Sequence, residues 1–268
     1  MSIQKFPLEA IQKIRQHITK ALVLPSSERQ PPSVKTFEDA DELPEPGSLD
    51  DLGSLFQFGG ASENQAVRLN QSGEWLVSAV NPAAALVRLP GLKLKSGYRL
   101  VSYLYRAEDK ELKGVIWAVP EQLSTTDLLE AALEKAGDLN TPPKPQGALP
   151  DLFTALEGDR SAASFLVASI LRREFLEFGA EGKHRRWAHH RLIDRIPTQL
   201  QPDWKKPPPP EMAPRVRVFP DGRAAVEFFS CRIVAPIAIF RHVDQYESGQ
   251  YSANCTDRAI ALATVVKQ

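Results

Sequence analysis

The chain has two cysteines, two methionines and no net charge, and each shortage closes off a class of protein. Cys231 and Cys255 can by themselves neither build a disulfide framework nor complete a four-ligand zinc site. Lysine plus arginine and aspartate plus glutamate both number 33. A protein that coats nucleic acid is basic overall, so any such contact here must come from a local patch. The longest apolar runs, "FLVASIL" and "IVAPIAIF", fall far short of the roughly 20 residues of a membrane-spanning helix. No Walker-type or GxGxxG run occurs and Gly59-Gly60 stands alone, which disfavours nucleotide chemistry and leaves no bound cofactor or metal expected. The opening "MSIQKFPLEAIQKIRQHITKAL" spreads charge through its length without an apolar core, so a soluble, cytoplasmic protein is expected rather than a secreted one.

What is present is globular in amount, with 43% hydrophobic and 25% charged residues. Pro7 suits a first helical turn, and Leu8, Ile11, Ile14, Ile18, Ala21 and Leu22 follow at helical spacing. That stripe must be buried, either on the chain's own body or in a partner's groove. From residue 24 to 60 the chain carries five prolines and eight carboxylates against only Arg29 and Lys35, the composition of an extended acidic linker.

The body is expected from residue 61 to 268. "EWLVSAV" and "AALVRL" read as strands, and "YRLVSYLYR" with "GVIWAVP" as a hairpin across "AEDKELK". Ser124 or Thr125 can cap a helix ending at Gly137, and a longer helix runs from about Arg160 to Phe178, its first half buried and its second half exposing Arg172, Arg173, Glu174 and Glu177 beside a Leu171, Phe175 and Phe178 stripe. "QPDWKKPPPPEMAP" reads as a stiff connector over 201–214, and "RVRVF", "RAAVEFFSCRIV", "PIAIFRHV" and "DRAIALATVV" as further strands. The expected architecture is a single α+β domain: a mixed or antiparallel sheet, or a partly open barrel, with a helical insertion at 124–180. An N-terminal helix over 1–23 would be tethered to it by the acidic segment.

The most chemically loaded stretch is "KHRRWAHHRLIDR", residues 183–195. Wound as a helix, it places Ala188, Leu192 and Ile196 on one stripe and His184, Trp187, Arg191 and Asp194 opposite. His190 would then sit one turn before Asp194. Its charge of plus four answers the minus six of the acidic linker. Lys183, Arg185, Arg186, Trp187, His190 and Arg191 are therefore the expected contact residues. A protein partner is the first expectation, and RNA or DNA, read by arginine charge and indole stacking, the second. Leu8, Ile11, Ile14, Ile18 and Leu22 are the candidate helix docking face. Adjacent His189 and His190 suit a shared metal poorly. Cys231, His242 and Asp244, with Cys255 as alternative nucleophile, form a faint catalytic constellation whose members must meet in space. Glu111-x-Lys113 reads as a solvated turn. The sequence thus points to a non-enzymatic protein-interaction, assembly or regulatory factor, with nucleic-acid binding and Cys/His catalysis as the alternatives.

Overall fold

The computed structural model describes residues 2–29, 74–106 and 112–265. The acidic linker from residue 30 onward, and Glu111, lie outside the described residues.

The larger sheet has seven strands, all antiparallel: β1 (Ser2–Lys5), β7 (His190–Ile193), β8 (Leu200–Trp204), β9 (Arg215–Val218), β10 (Ala224–Arg232), β11 (Ala238–Tyr246) and β12 (Ala253–Val265). Its order is β1-β9-β10-β11-β12-β8, and it curls without closing. One edge of β10 is shared: β9 pairs with Ala224–Glu227 and β7 with Phe229–Arg232. β10 is therefore hydrogen-bonded along its whole length and packed on both faces, which is why "AVEFFSC" shows little polar alternation. Phe229, Cys231, Ile239 and Ala261 share one face with Ile193 and Met212. Val226 and Phe228 face the other way, into the main core. Glu227 on β10 is held by Arg215 at 2.5 Å and Arg241 at 2.6 Å.

A three-stranded sheet of β2 (Trp75–Val77), β4 (Tyr98–Arg106) and β5 (Leu112–Pro120) places the bulky β4 in the centre. Its far face is covered by α3 (Thr126–Ala131), the 3-10 turn that continues it, and the proline-rich 140–150 segment, onto whose Pro143 carbonyl Trp117 donates at 2.8 Å. A two-stranded pair, β3 (Leu92–Leu94) and β6 (Leu156–Gly158), flanks it.

Helix α4 (Ala162–Leu176) joins these layers, packing against β3, β5, β9, β10 and α1 (Leu8–Ala21). Ser161 caps it by accepting the Ser164 N–H, and apolar residues nearly all round suit a helix enclosed on several sides. Phe165, Leu166, Val167, Ile170 and Leu171 are essentially sealed, each burial contributing about 1.5–3 kcal/mol. The α1 stripe is buried on the same body: Ile11 and Ile18 have no exposed surface, and Leu8, Ile14 and Leu22 pack around them. The short helix α2 (Ser26–Arg29) inserts Glu28 into the body, where its carboxylate accepts from Ser78 Oγ at 2.7 Å and the Ala79 N–H at 2.5 Å.

Four expected elements differ. Residues 2–5 of the expected 1–23 helix are strand β1, paired with β9 in the larger sheet, and the helix begins at Leu8. "AALVRL" is a 3-10 turn (Pro82–Leu86) rather than a strand, because Asn81 accepts the Ala83 N–H and Pro82 fixes the first φ. The 124–137 helix breaks into α3 and a 3-10 turn. Residues 201–204, expected as the start of the stiff connector, belong to edge strand β8, in which Pro202 sits where no further strand pairs.

Candidate interaction site

The basic stretch is not a helix. It forms two 3-10 turns, Gly182–His184 and Trp187–His189, and then enters β7. Two local facts explain this. The second half of β10 offers an edge that only an extended segment can pair with. The Glu177 carboxylate collects the N–H groups of Arg186, Trp187 and Ala188, fixing the turn before the strand. The expected helical faces therefore do not exist. Leu192 is buried while Ile196 is exposed, and His190 turns inward while Asp194 is exposed.

Trp187, expected as a stacking platform, is buried. Its indole lies under the Arg15 guanidinium at 4.6 Å and beside the His190 ring at 5.4 Å, and donates to Glu174 Oε1 at 2.6 Å. Arg15 fastens α1 to this stretch. It donates to Glu174 at 2.7 Å, to the Trp187 carbonyl at 3.0 Å and to the His190 carbonyl.

Beneath Trp187 runs a buried polar chain. His190 Nδ1 lies 2.8 Å from Ser230 Oγ, which lies 2.7 Å from His242 Nε2. His242 Nδ1 lies 2.7 Å from Asp257, which accepts from Arg173 at 2.7 Å. Arg173 also grips Asp244 with two bonds of 2.6 and 2.8 Å. The strands set the spacing: Asp257 is opposite His242 across β11 and β12, and Ser230 is diagonal to it on β10. Residues 165, 169 and 173 form the α4 face toward this sheet, with Ser169 bonded to Tyr246 at 2.7 Å.

The proton order follows from the ends of the chain. Burial alone raises the Asp257 carboxyl, but the His242 hydrogen bond and the Arg173 charge hold it well below the usual carboxylate range. Ionised Asp257 therefore accepts from His242 Nδ1–H. Burial lowers the His242 pKa, so its Nε2 is a bare acceptor for the Ser230 hydroxyl. Ser230 Oγ is then left to accept from His190 Nδ1–H. His190 is pushed down to about 4 by burial and by the positive charges of a protonated His242, Arg232 and Arg15. Both imidazoles are neutral at pH 7, each in one tautomer.

Ser230, His242 and Asp257 have the mutual geometry of an activated serine. Yet Ser230 has no exposed surface, and His190 fills the side of its oxygen that an acyl carbon would need. The expected constellation does not assemble either. Cys231 points to the opposite face of β10 with Phe229 and Ile239, where burial raises its thiol pKa. Asp244 binds Arg173. Cys255 is exposed on β12, its thiol raised to about 12 by the packing around its sulfur and by the Asp244 carboxylate.

The open feature beside this cluster is a cleft of about 1180 Å³ between α1, the end of α4 and residues 185–200. The polar side of α1 forms one wall through Gln12, Arg15, Gln16, Thr19 and Lys20. The floor is apolar, with Leu24, Phe178, Leu192, Ile193 and the exposed Val23 and Ile233. The side chains of Lys20, Arg185 and Arg191 line it and make no hydrogen bond or ion pair among the described residues. Of the expected contact residues, Arg185 and Arg191 reach this cleft, Lys183 and Arg186 are exposed near it, and Trp187 and His190 belong to the interior.

No protein family, curated protein or solved structure matches the chain. Among the described residues no helix is long and apolar enough to cross a membrane. Sequence reasoning missed Arg15, Arg173, Ser230 and Asp257. Arg173, expected on the exposed side of its helix, is instead buried, because Asp244 and Asp257 on the facing strands supply its counter-charges.

Proposed function

We propose that this chain is a non-enzymatic protein-interaction factor, serving assembly or regulation in the cytoplasm, and that it works through the cleft between α1 and residues 185–200. The carrying observation is the pairing of an apolar floor with three cations whose side chains make no ion pair among the described residues. Apolar floors ringed by charge suit protein partners, the floor giving affinity and the charge giving selection. The N-terminal helix contributes its polar wall, because its apolar stripe is engaged inside. Arg15 and Glu177 hold the basic stretch as the opposite wall. The acids of 38–51 are the electrostatic counterpart within the same chain, and in this reading they compete for the cationic face until a partner displaces them.

Nucleic-acid binding is the weaker reading, because the one aromatic of the basic stretch is covered by Arg15. The test is photo-crosslinking in cells, with a photoreactive residue at Gln16 or Gln199 in the cleft wall and another at Lys93 on β3. Discrete protein adducts formed only from the cleft positions, and resistant to nuclease, are expected. Adducts to nucleic acid, or equal adducts from Lys93, overturn the proposal.

A further inference from the structure

We infer that the cleft takes an acidic peptide bearing leucine- or phenylalanine-sized side chains, presented by a separate protein; this rests on the interaction reading above. The cleft has room for a peptide segment. At about 1180 Å³ and open to solvent, the cleft exceeds the roughly 300–1,000 Å³ of ordinary small-molecule sites.

Charge selects the sign of the partner. The cleft is lined by Arg15, Lys20, Arg185 and Arg191 and by Glu174, Glu177 and Glu181. Arg15 is paired with Glu174, and Glu177 is bonded to three backbone N–H groups. Glu177 keeps its charge, so the lining holds four cations against three carboxylates; among the described residues its exposed members are Lys20, Arg185 and Arg191 against Glu181, which puts the positive excess at the rim. A basic peptide would meet three like charges; an acidic one gains three partners at the rim.

The floor selects side chains. Val23 is 52% and Ile233 44% exposed, beside Leu24 and Ile193. Branched or aromatic side chains entering there cover surface that a phosphate backbone would leave in water. Glu177, which bonds neutral N–H groups and keeps its charge, would repel phosphates and peptide carboxylates alike if they were brought deep into the cleft. The peptide's acids therefore belong at the rim and its apolar residues on the floor.

The experiment is fluorescence anisotropy on the intact chain. The probe is a labelled peptide of about 15 residues built from Asp and Glu, with Leu or Phe at every third or fourth position. Controls are the same peptide with Asn and Gln replacing its acids, and a labelled oligothymidylate of equal length. The protein is compared with the exposed-residue variant Lys20→Glu/Arg185→Glu/Arg191→Glu and with Ile233→Ser, each checked for unchanged thermal unfolding.

Micromolar binding is expected, weakening at least tenfold with the triple variant, with the amide peptide and with Ile233→Ser. Binding of the amide peptide as tight as the acidic one overturns the acidic class; the interaction reading then stands or falls on cleft-specific crosslinks. Tighter binding of oligothymidylate overturns both. A chain that dimerises through this face in sedimentation, losing that with the triple variant, assigns the cleft to a second copy instead. Peptide binding that appears only after the acids of 38–51 are changed to amides overturns the separate partner in favour of this chain's own acidic segment.

Discussion

Removing the Arg173 guanidinium should be among the most damaging single changes in this protein. Arg173 has 5% and Asp244 0% of its side chain exposed, and two bonds of 2.6 and 2.8 Å join them. Arg173 also bonds Asp257 and the Ser169 carbonyl, and lies 4.8 Å over the Phe228 ring. Arg173→Met keeps much of the volume but leaves Asp244 buried without a counter-charge. Breaking a buried pair in this way costs about 3–5 kcal/mol. Replacing both members, as Arg173→Met/Asp244→Leu, should recover most of that loss, because no charge is then stranded. The assay is equilibrium urea unfolding at pH 7, reading a shift of midpoint at constant slope. A single-variant cost below about 1 kcal/mol, or a double variant no better than the single, refutes the account of a dry, mutually dependent pair.

Three further outcomes follow from the same geometry. Arg15→Ala should cost about 2–4 kcal/mol, from charge-assisted bonds at a site 19% exposed, and should speed amide exchange in α1 before the rest; Arg15→Lys should restore only part, since an ammonium cannot fork. Stability should be full above about pH 6.5 and fall toward pH 4, because the folded pKa of His190 lies near 4 and the unfolded chain takes that proton first. His190 is partly open to water, so its share is about 1–2 kcal/mol; His242 acts in the same direction, and His190→Gln should flatten the slope of midpoint against pH. Gly114→Ala should lower the melting temperature by several degrees, since a Cβ there would lie 2.3 Å from the Phe178 ring and 2.9 Å from its carbonyl.

Local pattern alone determined a large part of this protein. The period of 3.6 marked α1 and α4, alternation and turn residues marked the β4–β5 hairpin, and the strands of 215–265 followed from their composition. These elements are legible because each buries a face whose spacing its own residues set. The stretch 183–195 was not, because its helical stripe was a coincidence of spacing. The strand form wins through partners far away in sequence, the free edge of β10 and the Glu177 carboxylate. The Ser230, His242 and Asp257 chain was equally hidden. The connection between β11 and β12 sets their register, and one residue more or less there would put Thr256 or Arg258 opposite His242 instead of Asp257. Sequence therefore determined which segments fold and which charges exist. Tertiary structure alone decided which charges of the described residues line the cleft without an ion pair and which are sealed beneath Trp187, because pairing depends on distances that only strand register and helix packing create.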